Sequence, residues 1–575
     1  MQTTYVLGIS CYYHDAAAAL LKDGVVIAAA AEERFTRLKH DTAFPDNAIE
    51  YCLRTAGIAA NDITTVVFYE KPIVKFERII NQYLDTFPFS FKKFITTTHQ
   101  WITQKFKIKS ILKKKFHYHG SVVFIDHHLS HAASAYYLSG FSKSVVVTLD
   151  GVGEWSTSTL GLAKGSAITL DSEIRFPHSL GLMYSALTSY LGFSVNDAEY
   201  KVMGLAAYGN PATYSAHFKR LITTHSDGSY SLNMKYFDFS NETCMYTSKL
   251  SMLLGVPPRT PESSMQKKYQ DIAAALQKRL EDVVFHMLQK AYKKYHCTNL
   301  CLAGGVALNS VMNGKILSKT SFKHLYIPPD PGDAGGAMGA ALHYYFAVCS
   351  LSHKPKPQEI AHLFTPYLGP QFAHWEIERA LKKRKLSFIK LSERKKLVRT
   401  VAKLLCEEKI IGWFQGRMEW GPRALGSRSI LASAARTEMR DIINEKVKHR
   451  ELFRPFAPVI LEEHIHTYFK ADLELPISAR YMLMVYPFRK IGFTDVPAVV
   501  HVDKTGRLQT LHKQDNPLYY DIIKEYHKLT KVPIIINTSF NVRGEPIVCT
   551  PEDAIRCFLK TDIDYLVIDQ FIVSK

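Results

Sequence analysis

Alternating and continuous apolar positions in the first third of the chain predict short strands joined by tight turns. The stretch YVLGIS is followed by HDAAAALLKDGVVIAAAAEERFTR, in which Asp23 and Gly24 predict a turn between two further strands. A similar strand, turn and strand pattern recurs near residues 144 to 170, in SVVVTLDGVGEWSTSTLGLAKG. The N-terminal third is therefore predicted to contain the same unit twice.

Apolar residues spaced three and four apart predict helices between the strands. One helix begins at Pro45 and ends at Gly57, and a long helix covers about 264 to 294. In the C-terminal part, RKKLVRTVAKLLCEEK predicts a helix and IIGWFQG predicts a strand. This part is accordingly predicted to be an α/β domain.

Proline density rises and periodicity is lost around residues 351 to 372, as is typical of a linker between domains. A chain of 575 residues is also too long for a single hydrophobic core. We therefore divide the chain into an N-terminal domain at 1–355, a linker at 356–372 and a C-terminal domain at 373–575.

The composition is ordinary for a globular protein, with 47% apolar and 22% charged residues. No apolar run reaches the ~18 residues that span a bilayer, and no signal peptide is evident at the N-terminus. The nine cysteines form no paired framework, which indicates free thiols. These features predict a cytoplasmic protein without a membrane partner.

The net charge of +19 favours anionic partners such as nucleotides, phosphates or nucleic acid. The basic excess is concentrated in two segments, within 71–120 and 381–399, and the first interleaves aromatic residues with lysines. Such a segment can be the solvated face of an amphipathic element, a surface for single-stranded nucleic acid, or a basic lid over a phosphate site. The sequence leaves the role of both segments open.

Three histidines stand close together in the stretch DHHLSHAASAYYLSGF. On a helix, His127 and His131 share one face about 6 Å apart, within reach of one metal ion. His128 points elsewhere and is predicted either to support the other two or to be exposed. A histidine pair alone is more often structural, so a metal site needs oxygen ligands, and Asp150 and Asp333 stand at strand or loop ends that could supply them.

Turns rich in glycine or aspartate follow several strands of the N-terminal half, in GISCYYHDAA, LDGVGEWST, LAGGVALN and GDAGGAMGA. Glycine lets the backbone approach a ligand closely, and helix N-termini after such turns bind phosphate. This arrangement resembles the ASKHA fold, in which two ribonuclease-H-like lobes clamp a nucleotide. The alternative is that the glycines only serve tight hairpins.

The C-terminal domain carries basic residues within two unusual motifs, GPRALGSRSIL and FRPFAP. Arginines embedded in such apolar motifs do not fit a solvated helix face, whereas their guanidinium groups suit phosphate binding. A later strand, in IIINTSFNVRGEP, ends in side chains that can hydrogen-bond a ligand. The basic residues are Arg423, Arg428, Lys448, Arg450 and Arg454, and the polar residues are Asn537, Thr538, Ser539 and Asn541.

A family resemblance runs along essentially the whole chain. It is carried by HHLSHAASAYYLSGF, LDGVGEWST, LAGGVALN, PPDPGDAGGAMGAAL and GPRALG, which resemble the NodU/CmcH family of O-carbamoyltransferases of the tobramycin-carbamoyltransferase type. The resemblance implies an α/β protein with two domains. An N-terminal ASKHA domain, two-lobed and ribonuclease-H-like, would be fused to a C-terminal YrdC-like α/β domain.

The resemblance also implies roles for individual residues of the N-terminal domain. An iron-like divalent cation, Fe2+, would be ligated by His127, His131, Asp150 and Asp333. His14 would face the same cleft, as a base or as a contact to the carbonyl group. A nucleotide would be bound by Gly304, Gly305 and Asn309.

In the C-terminal domain the resemblance implies a site for carbamoyl phosphate and ATP. Lys448 and Arg454 would be the catalytic residues of that site. The two substrates would be bound by Arg423, Lys448, Arg454, Arg507, Asn537 and Ser539.

The implied function is an ATP-dependent O-carbamoyl transfer in two steps. Carbamoyl phosphate and ATP, with Mg2+, would form carbamoyl-adenylate in the C-terminal domain. The carbamoyl group would then pass to a hydroxyl of a small-molecule acceptor, a natural product or sugar of secondary metabolism, at the metal site. A homodimer is the default expectation, and a nucleic-acid partner is not favoured.

Two alternatives of other classes stay open. One is a tRNA-modifying enzyme of the threonylcarbamoyl type, to which the net charge of +19 lends weight. The other is a non-catalytic ASKHA module that binds a nucleotide and a partner. A hydrogenase-maturation carbamoyltransferase is discounted, because the paired CxxC motifs of its zinc fingers do not occur in this sequence.

Overall fold

The computed structural model describes residues 3–85, 87, 91–240, 244–350, 354–451, 453–471 and 474–575. The chain divides into two compact units. The first unit comprises Met1–Glu32, His40–Asn309 and Ile316–Phe364, and the second comprises Glu33–Lys39, Ser310–Lys315 and Thr365–Lys575. The main division follows Phe364, and no sequence pattern predicts the two short segments that join the second unit.

Among the described residues, two five-stranded sheets form the framework of the first unit. One sheet has the strand order β3-β2-β1-β4-β5 and the other has the order β8-β7-β6-β11-β12, while β9 and β10 pair separately. In chain order the strands are β1 (Tyr5–Ser10), β2 (Ala17–Lys22), β3 (Val25–Ala31), β4 (Thr65–Phe68), β5 (Ser121–Phe124), β6 (Lys143–Leu149), β7 (Ser156–Lys164), β8 (Ala167–Arg175), β9 (Ile222–Thr224), β10 (Tyr230–Leu232), β11 (Asn299–Ala303) and β12 (His324–Tyr326).

The two sheets repeat one topology. β1 pairs antiparallel with β2 and parallel with β4. At the edges of this sheet, β3 pairs antiparallel with β2 and β5 pairs parallel with β4. In the other sheet, β6 pairs antiparallel with β7 and parallel with β11, and β8 and β12 complete it in the same way. The repeated hairpin that the sequence predicts is confirmed, and so is the two-lobed ASKHA class of the N-terminal part.

Helices connect the strands in both units. The long helix predicted over 264 to 294 is α11, and the helix predicted from Pro45 is α2, which ends where Gly57 adopts a left-handed φ of 65°. In chain order they are α1 (Glu33–Thr36), α2 (Asp46–Ala56), α3 (Pro72–Asp85), α4 (Phe91–Thr103), α5 (Ile108–Phe116), α6 (His127–Tyr136), α7 (Leu180–Tyr190), α8 (Glu199–Leu205), α9 (Ser215–Leu221), α10 (Ser248–Leu254), α11 (Lys267–Tyr295), α12 (Ser310–Asn313), α13 (Ile316–Lys319), α14 (Asp333–His343), α15 (Pro357–Ala361), α16 (His374–Lys383), α17 (Arg394–Cys406), α18 (Glu438–Ile442), α19 (Ile465–Tyr468), α20 (Lys490–Asp495), α21 (Pro517–Thr530) and α22 (Pro551–Lys560).

Small residues let α14 pack closely against both α6 and β1. A Cβ atom on Gly339 of α14 would lie 1.9 Å from the carbonyl oxygen of Ser130 on α6, so a larger residue does not fit there. A Cβ atom on Gly8 of β1 would lie 1.8 Å from the carbonyl oxygen of Ala337, which is also on α14. These contacts hold α6 and α14 side by side, and both helices begin with candidate metal ligands.

Nine strands form one sheet of the second unit within the described residues, in the order β13-β21-β20-β14-β15-β19-β16-β18-β17. Helices α17 and α21 bury their apolar residues with Trp413 of β14 in one core, which confirms the predicted helix and strand and the α/β class of this part. The strands are β13 (Ile389–Lys390), β14 (Ile411–Phe414), β15 (Arg428–Ser433), β16 (Ala457–Leu461), β17 (Met484–Pro487), β18 (Thr505–Leu511), β19 (Ile534–Ser539), β20 (Tyr565–Ile568) and β21 (Phe571–Ser574).

The basic segment 381–399 belongs to the solvated faces of two helices. Lys382 and Lys383 end α16 and Lys395 and Lys396 begin α17, and all four side chains are exposed. Of the roles that the sequence left open, the amphipathic face is the one that the fold supports for this segment. In the described part of the chain, no helix combines the length and the apolar character that a membrane span requires.

Candidate active site

Helix α6 presents two fully buried histidines on one face. Its small residues leave room for the rings, and the i, i+4 spacing brings the ring centroids of His127 and His131 to 4.6 Å. Their Nε2 atoms lie 3.1 Å apart and face each other. The carboxylate of Glu154 accepts the backbone N–H of His127 at 3.0 Å, which anchors the first turn of the helix.

Two carboxylates complete a compact group around these nitrogens. Asp150 directly follows β6, and its Oδ2 lies 3.1 Å from His127 Nε2. Asp333 is the first residue of α14, and its Oδ1 lies 3.6 Å from His127 Nε2 and 3.4 Å from His131 Nε2. One ligand atom from each of the four residues lies within 4.8 Å of all the others. We call this group the His/Asp cluster.

The His/Asp cluster fits a divalent cation. Two imidazole nitrogens and two carboxylate oxygens are ligands that suit Fe2+, Zn2+ and other first-row metals, and separations of 3.1 to 3.6 Å between several of them are those of ligands sharing one ion. Asp333 Oδ2 is buried without a hydrogen-bond partner among the described residues. Burial opposes protonation of His127, but the charges of Asp333 and Asp150 raise the pKa of this residue to about 9.

His128 has a supporting role and is buried, so the exposed alternative is wrong. Its Nδ1 lies 2.6 Å from Thr148 Oγ1, and its Nε2 lies 2.7 Å from the carbonyl oxygen of Ser156. Burial and the neighbouring His127 lower the pKa of His128 to about 3. The neutral ring therefore ties α6 to β6 and to the start of β7.

His14 lies in the loop after β1 and is held by a carboxylate that sequence reasoning missed. Asp15 Oδ2 accepts a hydrogen bond from His14 Nδ1 at 2.7 Å, and Asp15 Oδ1 accepts one from His40 Nδ1 at the same distance. His40 Nε2 lies 3.3 Å from Asp197 Oδ1, and His14 Nε2 lies 3.0 Å from the carbonyl oxygen of Asn196. Asp15 thus bridges two histidines that are 26 residues apart in sequence.

The bridge determines the charge of His14. Burial opposes the protonated ring, but the hydrogen bond and charge of Asp15, with a smaller effect from Asp333, raise the pKa of His14 to about 10. The pKa of His40 rises to about 9, because its hydrogen bonds to Asp15 and Asp197 outweigh burial. Both rings are therefore cationic near neutral pH, which suits His14 as a hydrogen-bond donor.

The glycines after β11 support the His/Asp cluster. Gly304 has a φ of 90°, and a Cβ atom there would lie 2.3 Å from the carbonyl oxygen of Leu149, so this position requires glycine. The N–H of Gly305 donates to Asp150 Oδ1 at 2.8 Å, which leaves Oδ2 to face the histidines. The third residue of the predicted nucleotide stretch, Asn309, is buried and forms reciprocal amide hydrogen bonds of 2.8 and 3.0 Å with Gln277.

In the second unit, Lys448 is a buried ammonium group surrounded by oxygen atoms. Its Nζ donates to the carbonyl oxygen of Asn541 at 2.9 Å, to Asn541 Oδ1 at 2.8 Å and to the carbonyl oxygen of Ser539. Burial and the charges of Arg450 and Arg454 lower its pKa well below the usual value. Among the described residues Lys448 forms no salt bridge, so an anion would be a favourable neighbour.

The polar residues of β19 extend this site along one face of the sheet. Ser539 Oγ donates to Asn541 Oδ1 at 2.7 Å beside Lys448. Asn537, two residues earlier on the same face, donates to Gln509 Oε1 at 2.6 Å and to the carbonyl oxygen of Ala424 at 3.1 Å. Asn537 Oδ1 is buried without a hydrogen-bond partner in the described part of the structure.

Three of the other basic residues predicted for this site adjoin residues that contact that face or lie near Lys448, and one is an exception. Asn537 contacts Ala424, which adjoins Arg423, and Gln509 shares the face of β18 with Arg507. Arg454 lies close enough to Lys448 to lower its pKa and is 3.5 Å from Glu451. The exception is the buried Arg428.

Arg428 serves the fold of the second unit rather than a phosphate. Its guanidinium donates to the carbonyl oxygens of Gln415, Ser427, Pro370 and Gly416 at 2.8 to 3.1 Å. It also lies 3.6 Å from the centroid of the Phe414 ring. The inclusion of Arg428 in a phosphate-binding cluster is therefore wrong, because its hydrogen bonds tie loops of the protein together.

Comparison with known proteins matches both the segment that carries the His/Asp cluster and the segment that carries Lys448. The family description "Carbamoyltransferase N-terminus" matches residues 5–342, and "Carbamoyltransferase C-terminus" matches residues 402–575. The uncharacterised protein sll1178 of Synechocystis sp. is 44% identical, with 100% of this chain and 97% of that protein aligned. Nodulation protein NolNO of Sinorhizobium fredii is 35% identical over 98% of this chain and 79% of its own length.

A second nodulation protein, NolO of Bradyrhizobium diazoefficiens, is 38% identical over 78% of this chain and 79% of its own length. The two family matches cover most of the chain, and each includes the candidate site of its own unit. The His/Asp cluster falls within the first match, and Lys448 and β19 fall within the second. The chain therefore belongs to the carbamoyltransferase family and is a carbamoyl-transferring enzyme.

Proposed function

We propose that this enzyme is an ATP-dependent O-carbamoyltransferase that works in two steps at separate sites. The first step forms carbamoyl-adenylate in the second unit, and the second step passes the carbamoyl group to a hydroxyl in the first unit. The observation that carries the proposal is the convergence of four buried ligand atoms in the His/Asp cluster. A single-step carbamoyl phosphate transferase would not need this cluster in addition to a separate buried lysine.

In the second unit, water first converts carbamoyl phosphate to carbamate and phosphate. The carbamate oxygen then attacks the α-phosphate of ATP, which gives carbamoyl-adenylate and pyrophosphate. Lys448 and Arg454 would offset the charge of the reacting anions, and Mg2+ would accompany ATP. The remaining contacts to the two substrates would come from Arg423, Arg507, Asn537 and Ser539.

In the first unit, the acceptor hydroxyl attacks the carbamoyl carbon, AMP leaves, and the hydroxyl proton passes to solvent. A divalent cation at the His/Asp cluster, for which we propose Fe2+, would supply Lewis-acid polarisation of the carbonyl. Gly304 and Gly305 would approach the nucleotide while holding Asp150 in place. His14, protonated through Asp15, would exchange the Nε2 hydrogen bond to the Asn196 carbonyl oxygen for one to the carbamoyl oxygen, and would not act as a base.

We infer that the acceptor is a small hydroxylated molecule, such as a natural product or sugar. The test uses purified enzyme, ATP, carbamoyl phosphate and Mg2+, and measures pyrophosphate by a coupled assay. Pyrophosphate release that depends on carbamoyl phosphate supports the first step. A requirement for tRNA, seen as loss of activity after nuclease treatment, would instead support the threonylcarbamoyl alternative.

Lys448→Met tests the first step in more detail. The variant should lower pyrophosphate release at least about 100-fold, because a charge-assisted contact to a reacting phosphate is lost. Lys446→Met, on the exposed neighbouring lysine, is the matched control and should behave as wild type. An unchanged rate in Lys448→Met would refute the role of Lys448.

A further inference from the structure

The connection between β4 and β5 carries three buried basic side chains that the proposed function does not use. Lys75 and Arg78 lie one turn apart on α3, and Lys105 follows α4. They are 1%, 4% and 7% exposed, although lysine and arginine are rarely buried unless they are paired. We call these residues the basic trio, and they belong to one of the segments whose role the sequence left open.

Two members of the basic trio share a single carboxylate. Lys75 Nζ lies 2.5 Å from Glu70 Oε2, and Lys105 Nζ lies 3.2 Å from Glu70 Oε1. Glu70 is fully buried and lies two residues after the end of β4. Burial opposes its ionisation, but the two ammonium groups lower the pKa of Glu70 to about 2. One negative charge therefore faces two positive charges.

Arg78 adds a third positive charge without a carboxylate contact among the described residues. Its Nη1 donates to the neutral amide oxygen of Gln82 at 2.8 Å, and its guanidinium lies 5.3 Å from the centroid of the Phe176 ring. Its Nε is buried without a hydrogen-bond partner in the described part of the chain. The nearby carboxylate of Glu154 is occupied by backbone N–H groups of Lys71 and His127.

The basic trio lies next to the candidate metal site. Lys75 Nζ is 3.8 Å from the centroid of the Tyr13 ring, and Tyr13 immediately precedes His14. The ring of Tyr69, which precedes Glu70, lies 5.4 Å from the ring of His127. Tyr13 is 40% exposed, so the ring that lies against Lys75 also reaches the surface.

We propose that Lys75, Arg78 and Lys105 form a subsite for an anionic oxygen group, a phosphate or a carboxylate, of the ligand that binds beside the His/Asp cluster. The three buried positive charges have one contacting carboxylate, that of Glu70, so a bound anion would stabilise them. Guanidinium and ammonium groups are the usual partners of phosphates and carboxylates. The predicted nucleotide stretch follows β11 of one sheet, whereas the basic trio follows β4 of the other sheet. The proposed subsite is therefore separate from the predicted nucleotide stretch. This inference rests on the proposed function of the first unit.

The anion could belong to an acidic acceptor or to the phosphate of the adenylate. Calorimetric titration of the full-length protein with inorganic phosphate, AMP and glycerol 3-phosphate separates these sources. Arg78→Gln should weaken phosphate binding at least about tenfold, because one charged contact is lost. Lys114→Gln, an exposed lysine on α5 with the same loss of charge, is the matched control and should bind as wild type.

Weaker binding of AMP to Arg78→Gln assigns the subsite to the adenylate, whereas a loss confined to glycerol 3-phosphate and phosphate assigns it to an acidic acceptor. Equal affinities of wild type, Arg78→Gln and Lys114→Gln for all three probes would overturn the subsite. Arg78→Lys, which keeps the charge, should restore at least part of the affinity. The pyrophosphate assay on wild-type enzyme tests the proposed function separately, since phosphate binding does not require turnover.

Discussion

Single residues decide whether the His/Asp cluster can hold a cation, because each of its four side chains offers one ligand atom. His131→Ala should lower both bound divalent metal and carbamoyl transfer at least about 100-fold, while pyrophosphate release in the second unit continues. Metal content by mass spectrometry and carbamoylated product are measured on the same preparation. His119→Ala, at an exposed histidine, is the control. Full metal content in His131→Ala would contradict the ligand assignment.

The bridge of His14, Asp15 and His40 makes stability depend on pH. In the folded protein the pKa is about 10 for His14 and about 9 for His40, above the ordinary value of 6.5. Between pH 6.5 and these higher values, the folded protein therefore binds more protons than the unfolded chain. The contribution of the bridge is therefore fully present below 6.5 and is lost as the pH rises through about 9 to 10. Asp15→Asn should cost about 1 kcal/mol of unfolding free energy near pH 6.

Chemical denaturation of wild type and Asp15→Asn at several pH values measures this difference. The difference should shrink towards zero as both histidines lose their protons in the wild type. A difference that grows with rising pH would have the wrong sign and would refute the bridge. Asp41→Asn, at a nearby aspartate whose carboxylate accepts the backbone N–H of Ala43, provides a control for loss of a carboxylate.

Sequence spacing could predict part of this chemistry and not the rest. His127 and His131 share a helix face because their separation of four residues matches the helical repeat, so the pair follows from local geometry. Asp15 and His40 meet only because the chain returns through β2 and β3, and no local pattern encodes that contact. For Arg428 the sequence predicted a phosphate contact that the structure does not support. A basic residue in an apolar motif can equally be a buried donor to carbonyl groups.

At the level of elements, the close packing of α14 on α6 sets the distance between Asp333 and the two histidines. Gly339→Ala would place a methyl group 1.9 Å from the Ser130 carbonyl oxygen, so the helices must separate. We expect a loss of about 1–3 kcal/mol in unfolding free energy and weaker metal binding. Gly332→Ala, before the same helix, is the control, because its Cβ would have its nearest neighbour at 3.4 Å.

Urea denaturation and metal titration of both variants test this packing. Equal metal affinity in Gly339→Ala and wild type would show that the helix contact does not set the ligand geometry. Periodicity predicted the helices and the repeated hairpin, because burial on one face imposes those repeats. It could not assign Glu33–Lys39 and Ser310–Lys315 to the second unit, because membership of a core depends on distant residues.

For the whole molecule, the net charge of +19 and the two anionic substrates that we propose predict a strong dependence on salt. The screening length falls from about 10 Å at 0.1 M salt to about 3 Å at 1 M, so long-range attraction of carbamoyl phosphate and ATP weakens. The kcat/KM for carbamoyl phosphate should fall about 3- to 10-fold over this range. The kcat should change less, because Lys448 is buried and is screened less by solvent ions.

A variant with Lys382, Lys383, Lys395 and Lys396 changed to Gln separates the general charge from the site. These lysines are exposed on α16 and α17, so the variant loses four positive charges without altering the site. Its kcat/KM should decline less steeply with salt, while its kcat at low salt stays that of wild type. Steady-state pyrophosphate release at four salt concentrations measures both slopes. Parallel slopes would show that the exposed faces do not attract the substrates, and that the salt effect arises within the site.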